Sequence, residues 1–310
     1  MNSQRRYAVS RSWVRASTAL GLGLALWAGC ARESGIAVRD DAEPNPQGGA
    51  NTRAATNPIA YLEAVAARAA ALRHYRLMFY RQERLGALQP VLRKMERIEA
   101  RHRAEPFSVH FRWLDDDSEY VEAAYVRGRN GDKVMLLPRR GLLGLPPAVG
   151  RFNVEDAVAF HKSRNPITDF GLARMMERTL QRIRDSERLG GAQVQYAGLR
   201  RAGRQPRAAH RYEVRFPPGD PYPNKRMVLY VDERTELPLG VYLWLPNGKL
   251  DAMYLYEQVD TSIEVADTDF EIRAPQERPR AAEGAVSPGR PSGTGANSAL
   301  AKPGLPLSRE

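Results

Sequence analysis

The stretch Phe107-Ser108-Val109-His110-Phe111-Arg112-Trp113 alternates large apolar residues with polar ones. Successive side chains of a β-strand point to opposite faces, so Phe107, Val109, Phe111 and Trp113 share one face and Ser108, His110 and Arg112 the other. A strand that is apolar on one side only belongs to an antiparallel sheet with one covered face. Residues 210–216 repeat the pattern, with Tyr212, Val214 and Phe216 opposing Arg211, Glu213 and Arg215. Tyr75, Leu77 and Phe79 alternate in the same way with Arg76, Met78 and Tyr80. Further strands are predicted at 91–102, 119–127, 132–137, 192–199, 226–232, 239–245 and 251–258.

Between these strands the period is helical. Asn57-Pro58 supplies a cap and a proline for the first helical position. Ile59, Leu62, Val65, Ala66, Ala69 and Leu72 follow at helical spacing, which predicts a helix over 58–73. A short helix is predicted over 153–162 and a longer one over 166–184. The longer one places Ile167, Phe170, Met175, Leu180 and Ile183 on one face, with Arg174, Arg178 and Arg182 mostly outside. It starts at Pro166 behind an Asn165 cap, or slightly later behind Thr168. The order helix, strands, two helices, strands predicts an α+β domain: a strongly curved antiparallel β-sheet, an open half-barrel, with the helices on its concave face. The stretches 227–231, 239–245 and 252–256 are apolar or aromatic on both faces. Either helices cover both sides or the sheet curls around an apolar interior, which is a filled core or a cavity for an acyl chain.

The two ends of the chain read differently. Arg5, Arg6, Arg11 and Arg15 precede 14 uncharged residues, 16–29. A bilayer-crossing helix needs about 20 apolar residues, so residues 1–29 are predicted to be a signal peptide. The segment closes as Leu26-Trp27-Ala28-Gly29-Cys30, which resembles the lipobox of bacterial lipoproteins, although Trp27 stands where an aliphatic residue is usual. That resemblance implies cleavage before Cys30 and acylation of its thiol; the alternative is an ordinary signal peptide cut elsewhere. Ala31 follows, not the aspartate that resembles an inner-membrane retention signal, so an outer-membrane anchor facing the periplasm is expected. Cys30 is the only cysteine, which excludes an internal disulfide and suits an oxidising compartment. Residues 30–56 and 274–310 are poor in large apolar groups and predict a flexible tether and a disordered tail. They bracket a single domain over 57–273.

The net charge of +11 is not a nucleic-acid signal. Four of those charges are leader arginines and two belong to the tail, which leaves +5 spread over residues 31–273 without a basic block. No nucleic-acid partner is expected. The five histidines, His74, His102, His110, His161 and His210, form no His-Glu-x-x-His helix and have no cysteine partners for zinc. No nucleophile elbow, phosphate loop or dinucleotide fingerprint occurs. Asp115-Asp116-Asp117 lacks the spacing of a calcium loop and reads as a solvated turn. No enzyme, metal or cofactor is expected.

His161-Lys162-Ser163-Arg164-Asn165-Pro166-Ile167-Thr168-Asp169-Phe170-Gly171-Leu172 resembles the Arg-x-Pro-Ile-Thr-x-x-Gly-Leu signature of the domain-of-unknown-function family numbered 1571. Arg103-Ala104-Glu105-Pro106-Phe107-Ser108-Val109 is similar to the family's Pro-Phe-Ser-Val strand start. Residues 244–249, Tyr254-Leu255-Tyr256-Glu257 and Asp267-Thr268-Asp269-Phe270 are similar to its closing strands, so the likeness covers about 60–272. The resemblance implies an exported bacterial protein without assigned catalytic residues. A weaker similarity runs to the LolA-like lipoprotein-carrier fold of LolA, LolB and the regulator RseB, in which a half-barrel with a helical lid holds acyl chains. It implies a lipid, lipoprotein or other apolar ligand between sheet and helices. The residues expected to line that site are Phe107, Val109, Phe111, Trp113, Met175, Met176, Tyr212, Val214 and Phe216. Of the signature residues, Arg164 is expected to bond a carboxylate or carbonyl, Pro166 to start a helix and Gly171 to let it approach a strand. The expected function is that of a non-catalytic, lipid-anchored envelope protein binding such a ligand. The alternative is an envelope regulator or scaffold with a filled core, acting through protein contacts.

Overall fold

In the computed structural model, which describes residues 52–141 and 145–272, two β-meanders share one sheet. The first contains β1 (His74–Leu85), a short β2 (Val91–Leu92) hooked onto the end of β1, and β3 (Glu96–Arg103). It continues through β4 (Ser108–Trp113), β5 (Tyr120–Val126), β6 (Val134–Pro138) and β7 (Gly150–Phe152). The second is β8 (Gln193–Ala202), β9 (Arg207–Arg215), β10 (Arg226–Asp232), β11 (Pro238–Trp244) and β12 (Leu250–Asp260). Every pairing is antiparallel, and β12 returns to lie beside β1. The order is therefore β7-β6-β5-β4-β3-β1-β12-β11-β10-β9-β8, with β7 and β8 as unjoined edges. The signal segment, Cys30, residues 31–51 of the tether and the tail lie outside the described residues.

The helices α1 (Thr52–Thr56) and α2 (Pro58–Ala70) precede β1, while α3 (Asp156–Ala159) and α4 (Leu172–Ser186) lie in the link from β7 to β8. That link joins one edge of the sheet to the other, so it must pass across a face. It passes on the face that α2 also covers, and α4 packs against α2. Side chains from β1, β3, β4, β5, β9, β10, β11 and β12 all meet these helices in one core. A sheet this wide reaches two helices from so many strands only by curving around them. The fold is thus α+β, an open, curved antiparallel sheet with its helices on the concave face, as the alternating strands predict.

The doubly apolar strands have a local explanation. Leu229, Val241 and Tyr254 lie in one cross-strand row facing the helices. The neighbouring row, Val228, Tyr242 and Met253, faces away and is buried as well. The tip of the β8–β9 hairpin folds toward that outer side. There the Arg204 amide donates to Glu257, and the Arg204 guanidinium lies over the Tyr80 ring. Gly240 has no side chain to compete with Leu255, whose Cδ2 would meet a Cβ there at 2.4 Å.

Several boundaries differ from expectation. The strand predicted over 91–102 is broken at Arg93-Lys94-Met95, where the Gln82 side-chain amide donates to the Arg93 carbonyl and ends the short pairing of β2. The helix predicted over 153–162 shrinks to Asp156–Ala159: Asn153 binds the Asp156 carboxylate ahead of it, His161 adopts a positive φ of 54° just beyond its end, and α3 buries none of its side chains. The helix predicted from Pro166 starts instead at Leu172. Residues Ile167–Asp169 form a 3-10 turn, Phe170 is extended, and Gly171 breaks the helical path at φ 127°. Residues 52–56, expected in the tether, form α1, whose Ala54 is buried and accepts a hydrogen bond from Tyr212. The strand β7 has no signal in the sequence, since its three residues lack alternation and Phe152 faces solvent.

Candidate functional site

The signature segment 161–172 lies on the concave face and carries the chain into α4. Gly171 occupies the tightest point. A Cβ at this position would stand 3.1 Å from Tyr75 Oη and 3.2 Å from His102 Nε2. Tyr75 and His102 are neighbours across β1 and β3, their rings stacked at 4.7 Å. The Leu172 amide, the first of α4, donates to Tyr75 Oη at 3.0 Å. This bond satisfies one of the amide groups that a helix start leaves open. Phe170, held extended by the preceding turn, points its ring among Phe79, Phe111 and Tyr256, with centroids between 4.7 and 6.3 Å.

The nine side chains expected to line an apolar ligand site all belong to this core. Phe107, Val109, Phe111, Trp113, Met175, Met176, Tyr212, Val214 and Phe216 are each between 0 and 8% exposed. They do not form a single lining. Phe111 packs edge-on against Phe170 with Trp113 edge-on to Phe111, whereas Tyr212 stacks on Tyr61 of α2 and Phe216 lies 3.6 Å beneath the Arg182 guanidinium. Two surface cavities open elsewhere, at the β8–β9 and β10–β11 turns. One of about 570 Å³ is lined by Gln205, Arg207 and Arg234, and one of about 170 Å³ by Thr235, Leu237 and Tyr256. Neither touches any of the nine residues.

A belt of ionised groups at one end of the helix–sheet interface escaped sequence reasoning. Arg81 and Glu83 continue the inward register of Tyr75, Leu77 and Phe79, and that break in the apolar pattern was the available signal. Arg81 pairs with Glu96 of β3 at 2.5 Å and donates to Ser163 Oγ at 3.1 Å. Burial works to lower the Arg81 pKa, but Glu96 and Glu83 outweigh it and hold the guanidinium charged. Arg164 reaches Asp251 at 2.6 Å, as expected of a motif arginine with a carboxylate partner, and its amide donates to Glu83. Asn224 links Asp251 to Arg182, which pairs with Asp220 at 2.8 Å. Arg182, expected outside, is therefore an inward residue: its stem lies along the core and its head is bound to the β9–β10 loop. Pro166 leads the 3-10 turn and starts no α-helix.

The histidines have structural places. His210 accepts or donates at Tyr196 Oη, 3.1 Å away, with the Tyr61 ring edge-on to it, and burial lowers its pKa. Burial also pulls His102 down, to about 4. His110 lies 3.8 Å from Glu122 on the outer face. Asp117 pairs with Lys94 and Asp115 accepts from the Arg97 amide, so the triple-aspartate stretch is the β4–β5 turn. Among the described residues no group of His, Cys, Asp and Glu could hold a metal, and no helix is long and apolar enough to cross a membrane.

Comparison with known proteins adds the following. A search of curated proteins returns no match. Among solved structures, MucB in the Pseudomonas aeruginosa MucA/MucB complex aligns at 16% identity over 70% of this chain and 61% of that chain, with a TM-score of 0.40. In a structure of MucB alone, this chain spans 63% of the MucB chain. The Mycobacterium tuberculosis lipoprotein LppX aligns at 10% identity over 68% of this chain and 100% of that chain, with a TM-score of 0.40. A LolA superfamily protein from Nitrosomonas europaea aligns at 9% identity over 68% and 97%, with a TM-score of 0.31. The family model described as "Protein of unknown function (DUF1571)" matches residues 72–278. That match spans more than half of the chain and contains the signature segment seated against Tyr75 and His102, so this chain belongs to the DUF1571 family.

Proposed function

We propose that this chain is a lipid-anchored protein of the bacterial cell envelope that acts without catalysis, by binding through its surface while its interior stays filled. The observation that carries the reading is the packing of the nine candidate lining residues, each within the core and each in contact with other side chains. For an acyl chain to enter between sheet and α4, the helix would have to lift. Lifting breaks the Leu172–Tyr75 hydrogen bond and the bonds of Arg182 to Asp220 and Asn224, and withdraws Phe170 from its aromatic partners.

The arginine leader, the short apolar segment and the lipobox-like end at Cys30 support export and anchoring. The absence of chemistry is supported by the carboxylates of the belt. Glu83, Glu96, Asp251 and Asp220 are each bound to an arginine, a tyrosine or an asparagine, the arrangement of carboxylates that tie elements of a fold together. Native mass spectrometry of the protein extracted from the envelope tests the reading. The expected species is the acylated chain alone; stoichiometric co-purification of a non-covalent lipid would replace this reading with the carrier.

A further inference from the structure

We propose that one edge of the sheet carries a second membrane contact, in which Leu145, Phe152 and Phe160, flanked by Arg140 and Arg151, dock on an anionic lipid surface. The proposal rests on the reading that the chain works at a membrane, but its test makes no use of the lipid anchor. Leu145 is 66% exposed, Phe152 40% and Phe160 67%. Exposed apolar residues scattered singly need no explanation. Here three of them fall within a short span beside the edge strand β7.

Their arrangement follows from local bonds. Phe152 ends β7 opposite Val134. The next residue, Asn153, binds Asp156 through its backbone amide at 2.7 Å and its side chain at 3.2 Å, and Lys133 donates to the Asn153 side chain. This knot starts α3 directly after the strand, and Phe160 closes the helix with its amide on the Asp156 carbonyl. The two phenylalanines thus flank a single short helix that buries no side chain in the core.

Charge selects the occupant. From Lys133 to Val154 the sequence carries Lys133, Arg139, Arg140 and Arg151 and no acidic residue. Arg140 and Arg151 are exposed and have no acidic partner among the described residues. The acids at the two ends of this stretch are Asp132, which accepts from the Gly128 amide, Asp156, which accepts from Asn153, and the exposed Glu155. Aromatic and aliphatic tips at the acyl boundary, with guanidinium groups on the phosphates above, match an interfacial contact. Two such cations near an anionic surface make the attraction strongly dependent on lipid charge.

The test is vesicle sedimentation of the full chain carrying Cys30→Ser, with and without Leu145→Ser/Phe160→Ser. Vesicles containing phosphatidylglycerol are compared with pure phosphatidylcholine. Both chains share the same N-terminal segment, so only the difference between them is scored. The expected result is binding to the anionic vesicles that falls roughly tenfold or more in the double variant, and similarly in Arg140→Gln/Arg151→Gln. All substitutions are at exposed positions, and an unchanged melting temperature verifies the fold. Equal binding by parent and variants overturns the proposal. So does absence of vesicle binding by either chain, including the case in which Leu145→Ser/Phe160→Ser changes self-association of the free protein. Loss of palmitate labelling at Cys30 is a separate readout and bears on the anchor alone.

Discussion

The Tyr254 hydroxyl on β12 donates to Glu83 Oε1 on β1 at 2.6 Å, at the seam where the two meanders meet. Both groups are buried. Burial and the neighbouring Glu83 charge push the phenol well above its ordinary pKa, so it stays protonated and remains a donor. The other oxygen of Glu83 takes the Arg164 amide and faces Arg81 at 3.9 Å. One carboxylate therefore ties together β1, β12 and the signature segment. A buried charge that loses a partner is costly, which gives this group its leverage on stability.

Tyr254→Phe keeps the ring and removes the donor. The expected loss is about 1–3 kcal/mol, as for a buried acceptor of which one bond goes unmade. Urea unfolding with an unchanged slope measures it. A midpoint equal to that of the parent would show that Arg81 and Arg164 satisfy Glu83 without the phenol.

Gly171→Ala introduces a Cβ against Tyr75 Oη and His102 Nε2 at a φ of 127°. Both strain and contact oppose it, so destabilisation should exceed about 1 kcal/mol. The Leu172 amide, bound to Tyr75, should lose protection from hydrogen exchange first. Protection like that of the parent would refute the close-approach account.

His102 sets a pH dependence. Its pKa lies near 4 in the folded protein against 6.5 for a free imidazole. The unfolded chain therefore binds more protons between those values, and stability present at pH 7 is lost as pH falls through that window. The loss amounts to about 3 kcal/mol from this group. His210, lowered by burial too, acts in the same direction. His102→Phe should flatten the dependence of the unfolding midpoint between pH 6.5 and about 4; an unaltered slope would remove His102 as its source.

Phe170→Ala should destabilise the domain by about 3–5 kcal/mol, because it empties the space between Phe79, Phe111 and Tyr256. Phe111→Asp, which places an unpaired charge in the same cluster, should abolish the cooperative thermal transition. A near-neutral Phe170→Ala would mean that the cluster is not tightly packed.

The sequence reveals strands where polarity alternates and becomes uninformative where charge is buried. Phe107 to Trp113 displayed its inward face because nothing inside that face is charged. Arg182 reads as a solvent-facing residue, and Arg81 and Glu83 break an apolar pattern without showing why, because a one-dimensional pattern does not show the partner: Glu96, Tyr254 and Asp220 are distant in sequence. The start of α4 differs from expectation for a related reason. Asn165-Pro166 carries a helix-start pattern, but the contact of Gly171 with two other strands, a tertiary constraint, determines where the helix begins. The nine apolar residues proposed for a ligand were legible as inward-facing; whether they face a void or one another is decided by the ring of Phe170 and the course of α4.

Amide hydrogen exchange along α4 tests the filled-interior account most directly. If the domain binds through its surface, the buried amides of Leu172–Ser186 should exchange only through global unfolding, at the same free energy as the central strands β1 and β12. Added lipid vesicles should leave that protection unchanged. Exchange of α4 at a distinctly lower free energy than β1 and β12, with protection altered by a lipid, would show a lid that opens for cargo and would contradict the account.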